Sequence, residues 1–433
     1  MMNQITVFWF RRDLRLHDNT GLYHALKSGK KVLPIFIFDS TILKKLPKND
    51  ARVTFIHNQL TSINKQLKTV GSGLNVYHGE PKKIFESLLQ KLDIDTVYTN
   101  HDYEPYAIQR DLEIKTLLNS KNINFSTYKD QVIFEKNEIV KQDGAPYVVY
   151  TPYSKKWLEA YRQKPFLEFP SEGLLENCLQ QSSSHFLSLS DIGFEKNHST
   201  VVDYKITSNL IQQYEGTRNF PALDSTSKLG THLRFGTVSI RKVALKAKNE
   251  ENNTFLKELI WREFFMQILW HFPHTVDKAF KPKYDRIVWR NNENEFKIWT
   301  EGKTGFPLVD AGMRQLNETG FMHNRVRMLV GSFLCKHLLI DWRWGEAYFA
   351  EKLHDYEMAS NIGNWQWIAG CGVDAAPYFR IFNPITQIQK FDKDLEYVKK
   401  WVPDYQELTY PQPMVDHKFA RERCLKTYKE ALT

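Results

Sequence analysis

Cysteine is scarce. The four in this chain of 433 residues, Cys178, Cys335, Cys371 and Cys424, lie far apart, with no CxxC pair and no histidine at ligand spacing. A disulfide scaffold and a zinc site are therefore excluded, and no metal is expected. No apolar run approaches the length that spans a bilayer, and the N-terminus, MMNQITVFWFRRDLRLHDN, lacks the cationic, apolar and small-residue order of a signal peptide. A cytoplasmic protein with no membrane partner is expected. Hydrolytic chemistry has no carrier, because no HExxH and no Ser–His–Asp arrangement occurs. No GxGxxG follows the first strand, so a dinucleotide fingerprint is missing. The nearest approach to a phosphate loop, EGKTG at 301–305, has Lys297 where the Walker pattern places its first glycine. It reads instead as a turn into a helix that starts near Phe306. Tryptophan is nearly absent from the first half: of 11, only Trp9 and Trp157 precede residue 200.

What is present belongs to a folded chain. Hydrophobic residues make up 42% and charged residues 25%, ordinary proportions for a globular protein. Its length favours two domains over one core. A net charge of +9 favours a polyanionic partner such as nucleic acid.

The first part alternates apolar runs with amphipathic segments: ITVFWF, a helix near 19–28, VLPIFIF, a helix near 51–69, LNVYHG and a helix near 81–91. TVYTN, a helix near 105–119 and INFSTYK follow. This predicts a Rossmann-like, doubly wound parallel sheet over residues 1–130. Periodicity fades over 131–195, which reads as a linker. From 196 to 433 the spacing of three and four predicts a nearly all-α domain, with helices near 254–270, 304–318, 322–340 and 345–358.

Several clusters in that second domain carry chemistry. TSKLG at 226–230 offers hydroxyls, a lysine and backbone N–H groups in a loop before a helix, which suits a pyrophosphate, although such clusters are more often helix caps. In FLKELIWREFF, Glu258, Trp261 and Arg262 share one helical face, and the plain alternative is a surface ion pair beside a core tryptophan. Asn324 and Met328 share a face in FMHNRVRMLV, with Arg325 and Arg327 displaced from it. HDYEMASN supplies Asn361 together with Asp355 and Glu357, two acid/base candidates that are more commonly just surface carboxylates.

Taken together, FWFRRDLRLHDN, YEGTRNFPALDSTSKLGTHLRFG, ELIWREFF, EGKTGFPLVDAGMRQLNETGFMHNRVRM and ASNIGNWQWIAGCGVDAAPYFRIFNP resemble the photolyase/cryptochrome family. The likeness is greatest to class I cyclobutane pyrimidine dimer photolyases. It spans nearly the whole chain in order, which is far more specific than any single pattern.

The resemblance implies an α/β antenna-type domain followed by an all-α FAD-binding domain. It implies light-driven repair of cyclobutane dimers in UV-damaged DNA, by electron transfer from photoexcited reduced FAD to a flipped-out dimer, in a monomeric protein. Tyr214 and the loop Thr226, Ser227, Lys228, Leu229 and Gly230 match residues that hold the FAD phosphates. Asp355 and Glu357 match acids around flavin and ribose, Arg327 the arginine opposite Asp355, and Asn361 the residue near flavin N5. Trp365, Trp342 and Trp289 match the electron relay. Glu258, Trp261, Asn324, Met328 and Trp367 match the dimer pocket, with Arg218, Arg262 and Arg325 as DNA contacts.

Asn324 after His323 separates the chain from six-four photolyases, which carry a second histidine there. Lys228, Gly230 and Glu357 replace a frequent arginine, serine and aspartate. NHDYEPYAIQRD lacks the Asn-Glu pair that holds folate, so a second chromophore is open between folate, a deazaflavin, a flavin and none. The rival function is a cryptochrome-like photoreceptor signalling through a protein partner, against which the dimer-pocket residues and the absence of a long tail count. A third is a flavoprotein that binds DNA without repairing it.

Overall fold

The computed structural model describes residues 4–163, 167–199 and 201–433. The chain forms two compact units, each gathered from three stretches: Met1–Glu135, Ala160–Tyr204 and Leu229–Asn249 in the first, Lys136–Glu159, Lys205–Lys228 and Glu250–Thr433 in the second.

The first unit is built on a parallel sheet of β1 (Ile5–Phe10), β2 (Val32–Asp39), β3 (Asn75–Gly79), β4 (Ile94–Asn100) and β5 (Asn124–Tyr128), in the order β3-β2-β1-β4-β5. Every strand coincides with an apolar run picked out in the sequence. The helices Thr20–Leu26, Ala51–Lys68, Pro81–Lys91 and Pro105–Asn119 fall where the amphipathic segments predict. Alternation along β1 sends Phe8 and Phe10 into one core and Val7 and Trp9 into the other, so the central strand is apolar throughout.

Beyond the sheet, the first unit is tied by a buried ion network. Arg15 donates to both oxygens of Asp130 at 2.9 and 2.7 Å. Arg241 reaches Asp130 at 2.9 Å and Asp18 at 3.0 Å. Burial alone would raise the Asp130 carboxyl, but the Arg15 and Arg241 guanidiniums overcome it and hold the group well below the usual range. Arg241 explains why Leu229–Asn249, expected with the helical domain, gathers with the first unit. The expected linker 131–195 is likewise divided, its Lys136–Glu159 portion clustering with the second unit.

The second unit is helical, and the residues from Ala279 to Tyr428 contribute a large core. The helix Thr254–His271 is buried on most of its circumference, as its sequence TFLKELIWREFFMQILWH allows. EGKTG is a turn, as expected: Gly302 and Gly305 take positive φ of 63° and 76°, and Asp310 accepts from the Thr304 and Gly305 N–H groups to fix it. The helix expected over 322–340 is Asn324–Ser332, which widens into a π-helical turn at Phe333–His337.

The helix expected over 345–358 is Trp342–Lys352, ending earlier than expected, and a separate helix, Met358–Ala369, begins at its expected end. Apolar spacing runs through the break, but Glu357 turns back to accept from Ser360 N at 3.1 Å, capping a new helix. The interruption at 353–357 carries Asp355 and Glu357.

Candidate cofactor and substrate site

The second unit encloses a cavity of about 410 Å³. Of the residues singled out in the sequence, Arg218, Glu258, Trp261, Arg262, Asn324, Arg327, Met328, Asp355, Glu357, Asn361, Trp365 and Trp367 line it. They come from three helices, the residue that ends a fourth (Arg218, after Ser208–Thr217) and the break at 353–357, so the fold assembles what the sequence scatters. Tyr214, the 226–230 loop, Arg325, Trp289 and Trp342 are not among its lining residues.

At one side Arg327 is fixed from two directions. Its Nη2 meets Asp355 at 3.1 and 2.8 Å, and its Nε donates to the Met322 carbonyl at 2.7 Å. A paired guanidinium locked in this way presents charge to the cavity with little conformational freedom left to lose. Asn361 donates from Nδ2 to the Glu346 carbonyl at 3.2 Å and to Glu346 Oε1 at 3.0 Å. Both amide protons are thus engaged, leaving Oδ1 as the uncommitted atom. Glu346, which sequence reasoning missed, has its carboxyl raised by burial, against the lowering effect of Asn361 and Tyr356.

Glu258, also on the cavity wall, forms an ion pair with Arg218. Arg325 turns to Asn219 Oδ1 at 2.5 Å and lies over the Phe391 ring at 4.3 Å. His323 caps its helix, with Nδ1 accepting from Arg325 N at 3.2 Å; burial, aided by Lys228, Arg327 and Arg325, drives its pKa down to about 3, so it is neutral.

Gly and Ala beside the tryptophans have a packing purpose. Trp365 is buried between helices, and a Cβ on Gly345 would stand 2.2 Å from its ring. Trp342 opens the helix that bears Gly345, lies in the same core, and has Arg343 stacked 4.7 Å from its ring centre; Trp289 packs against that core.

The cofactor-loop residues separate by unit. Lys228 takes a left-handed φ of 56°, extends over the Phe321 ring at 4.2 Å and pairs with Asp224 at 3.5 Å. Thr226 Oγ1 is buried with no hydrogen-bond partner, an orphaned donor that a phosphate oxygen would satisfy. Leu229 and Gly230 begin the short helix Gly230–Phe235 of the first unit. Tyr214 packs edge-on against Phe255 at 5.2 Å, and burial, then Glu258, pushes its phenol up to about 12. Phe265, Phe349, Leu353, Tyr356 and Ile368 also line the cavity. Nothing in a single sequence separates these from ordinary core residues.

A family model described as the FAD binding domain of DNA photolyase matches residues 255–409, and one described as DNA photolyase matches 6–171. A deoxyribodipyrimidine photo-lyase of Agrobacterium fabrum is 36% identical over 98% of this chain and 97% of its own, and that of Escherichia coli 34% identical over 98% of each. Among solved structures, a class III photolyase from Agrobacterium tumefaciens superposes with a TM-score of 0.88 at 34% identity, covering 100% of this chain and 98% of that one. An archaeal photolyase from Sulfolobus tokodaii, solved with two FAD molecules, gives 0.82 at 34% identity, covering 99% and 100%. The chain belongs to the DNA photolyase family.

Proposed function

We propose that this protein is a light-driven lyase that reverses cyclobutane pyrimidine dimers in DNA, with FAD as its cofactor. The observation that carries this is the single cavity in which Arg327, Asp355 and Asn361 face the same space as Glu258, Trp261, Asn324, Met328 and Trp367. The chemistry bound FAD supplies is transfer of one electron to the dimer under light, and its return once the ring has opened.

The protein binds, orients and excludes water. Arg327, steadied by Asp355, provides the positive charge that a buried anionic cofactor requires. Asn361 presents a carbonyl and keeps no exchangeable acid at that position, so it directs a hydrogen bond without trading protons. Thr226, Ser227 and Lys228 hold the phosphates, with Tyr214 and Glu357 as further cofactor contacts. Trp261 and Trp367 give a dimer that has left the stack an apolar wall, the distorted pairing of a lesion making its extrusion less costly than that of an intact base. Glu258 hydrogen-bonds the pyrimidine edge, and Arg218, Arg262 and Arg325 take DNA phosphates or the dimer edge. Trp365, Trp342 and Trp289 conduct electrons inward to reduce the cofactor.

Among the described residues no helix is long and apolar enough to cross a membrane. The net charge of +9 supports a polyanionic partner, and we read the protein as a monomer acting on cytoplasmic DNA. A second chromophore in the first unit is compatible with the family, and the archaeal relative with two FAD molecules favours a flavin there.

The test is repair of a thymine-dimer oligonucleotide by photoreduced protein under blue light, with a dark control. Light-dependent recovery of thymine absorbance is the expected result. Normal photoreduction with every dimer intact would refute repair and favour a receptor.

A further inference from the structure

One closely stacked ring pair joins a cavity residue to one outside the cavity. Tyr150 lies face to face with Trp261, centroids 3.6 Å apart and planes 6° from parallel. A full sandwich is the less favoured stack for two aromatic rings, because their faces repel electrostatically. Other contacts therefore hold Tyr150 in place. Its backbone N–H donates to Asp374 Oδ2 at 3.1 Å, and its hydroxyl donates to the Lys257 carbonyl at 2.8 Å. Burial, and then the Glu258 charge, raises its phenol well above the ordinary value, so it stays a donor. Trp261 lines the cavity and Tyr150 does not, which leaves Tyr150 behind the indole. The carbonyl it grips belongs to the residue directly before Glu258.

We infer that Tyr150 is a positioning residue for dimer recognition, its ring setting the plane of Trp261 and its hydroxyl fixing the peptide that leads into Glu258. The inference rests on the repair function proposed above. Two dimer contacts on one helix are thereby braced by one side chain from the first residue of another, Tyr150–Gln163. A pocket that must stack a flat lesion gains from having its indole held before the lesion arrives, since the ordering is then not charged against binding.

The experiment compares native holoprotein with Tyr150→Phe, which keeps the ring and loses the hydroxyl, and Tyr150→Leu, which loses both. Affinity for a thymine-dimer oligonucleotide should fall roughly three- to tenfold in Tyr150→Leu, with Tyr150→Phe between it and native. Affinity for undamaged DNA, FAD content and photoreduction rate should stay unchanged. Acrylamide quenching of Trp261 emission, taken as the difference from matching Trp261→Phe proteins, should rise in Tyr150→Leu. Native dimer affinity together with native quenching in Tyr150→Leu would overturn the inference. If the native protein itself shows no preference for the dimer, the repair function falls, while quenching still decides whether Tyr150 sets Trp261: a rise keeps the brace, no change removes it.

Discussion

Gly345 and Trp365 meet so closely that any β-carbon at residue 345 would lie 2.2 Å from the indole and 2.7 Å from Leu334. The indole can reach both the cavity wall and the helix Trp342–Lys352 only because that helix has no side chain at the crossing. Gly345→Ala should therefore cost about 1–3 kcal/mol through overpacking, read as a lower denaturation midpoint. FAD photoreduction should slow with it, because Trp365 is forced to shift.

Replacing the ring tests the relay separately from repair. Trp365→Phe should lose most light-driven reduction of FAD by an external donor, yet repair dimers when the cofactor is reduced chemically. Transient absorption and a repair assay on the same preparation check this, and an equal loss of both would mean that Trp365 matters for the pocket, not the relay.

Asp355→Ala removes the carboxylate that steadies Arg327 while leaving the Met322 carbonyl contact. Loss of a charge-assisted hydrogen bond of this kind should weaken FAD retention by about tenfold or more. Cofactor released during dialysis, followed by flavin fluorescence, measures it. Asp355→Asn, which keeps one acceptor, should fall between.

The first unit should be sensitive to acid. Asp130 and Asp102 both lie below the usual carboxylate value: burial opposes this in each, and Arg15 with Arg241, or Arg12 with Arg11, overcomes it. A depressed folded pKa means the stabilisation is complete above the ordinary value of 3.8 and is lost as pH falls toward about 2. Stability followed by urea midpoints should drop over that window. Asp130→Asn should cost about 3–5 kcal/mol at neutral pH by leaving buried guanidiniums uncompensated, and should flatten part of the acid dependence.

Strands and helices of the first unit were legible because each sits at a change of hydrophobic period, with β-branched and aromatic runs between amphipathic helices. The break at 353–357 was not, since HDYEM continues an apolar spacing and only the side chain of Glu357 closing on Ser360 reveals a new helix start. The cavity-lining residues could be named because long ordered motifs resemble a family; from helical position alone, Glu258 looked set to pair with Arg262, with no sign of its ion pair with Arg218. Tyr150 and Glu346 left no signal. Each acts through a partner elsewhere in the chain, and one tyrosine among several in APYVVYTPY, or a glutamate on an amphipathic helix, carries no mark of that contact.

The order in which the first unit's pieces leave the ribosome is the reverse of what its stability needs. All five strands are complete at Tyr128, but Arg241, the guanidinium shared by Asp18 and Asp130, is translated only after two stretches that belong elsewhere. At ordinary elongation rates the nascent sheet spends on the order of ten seconds with two aspartates inside it and one counterion too few. A fragment ending at Glu135 would keep the whole sheet and remain permanently at that stage of its own synthesis.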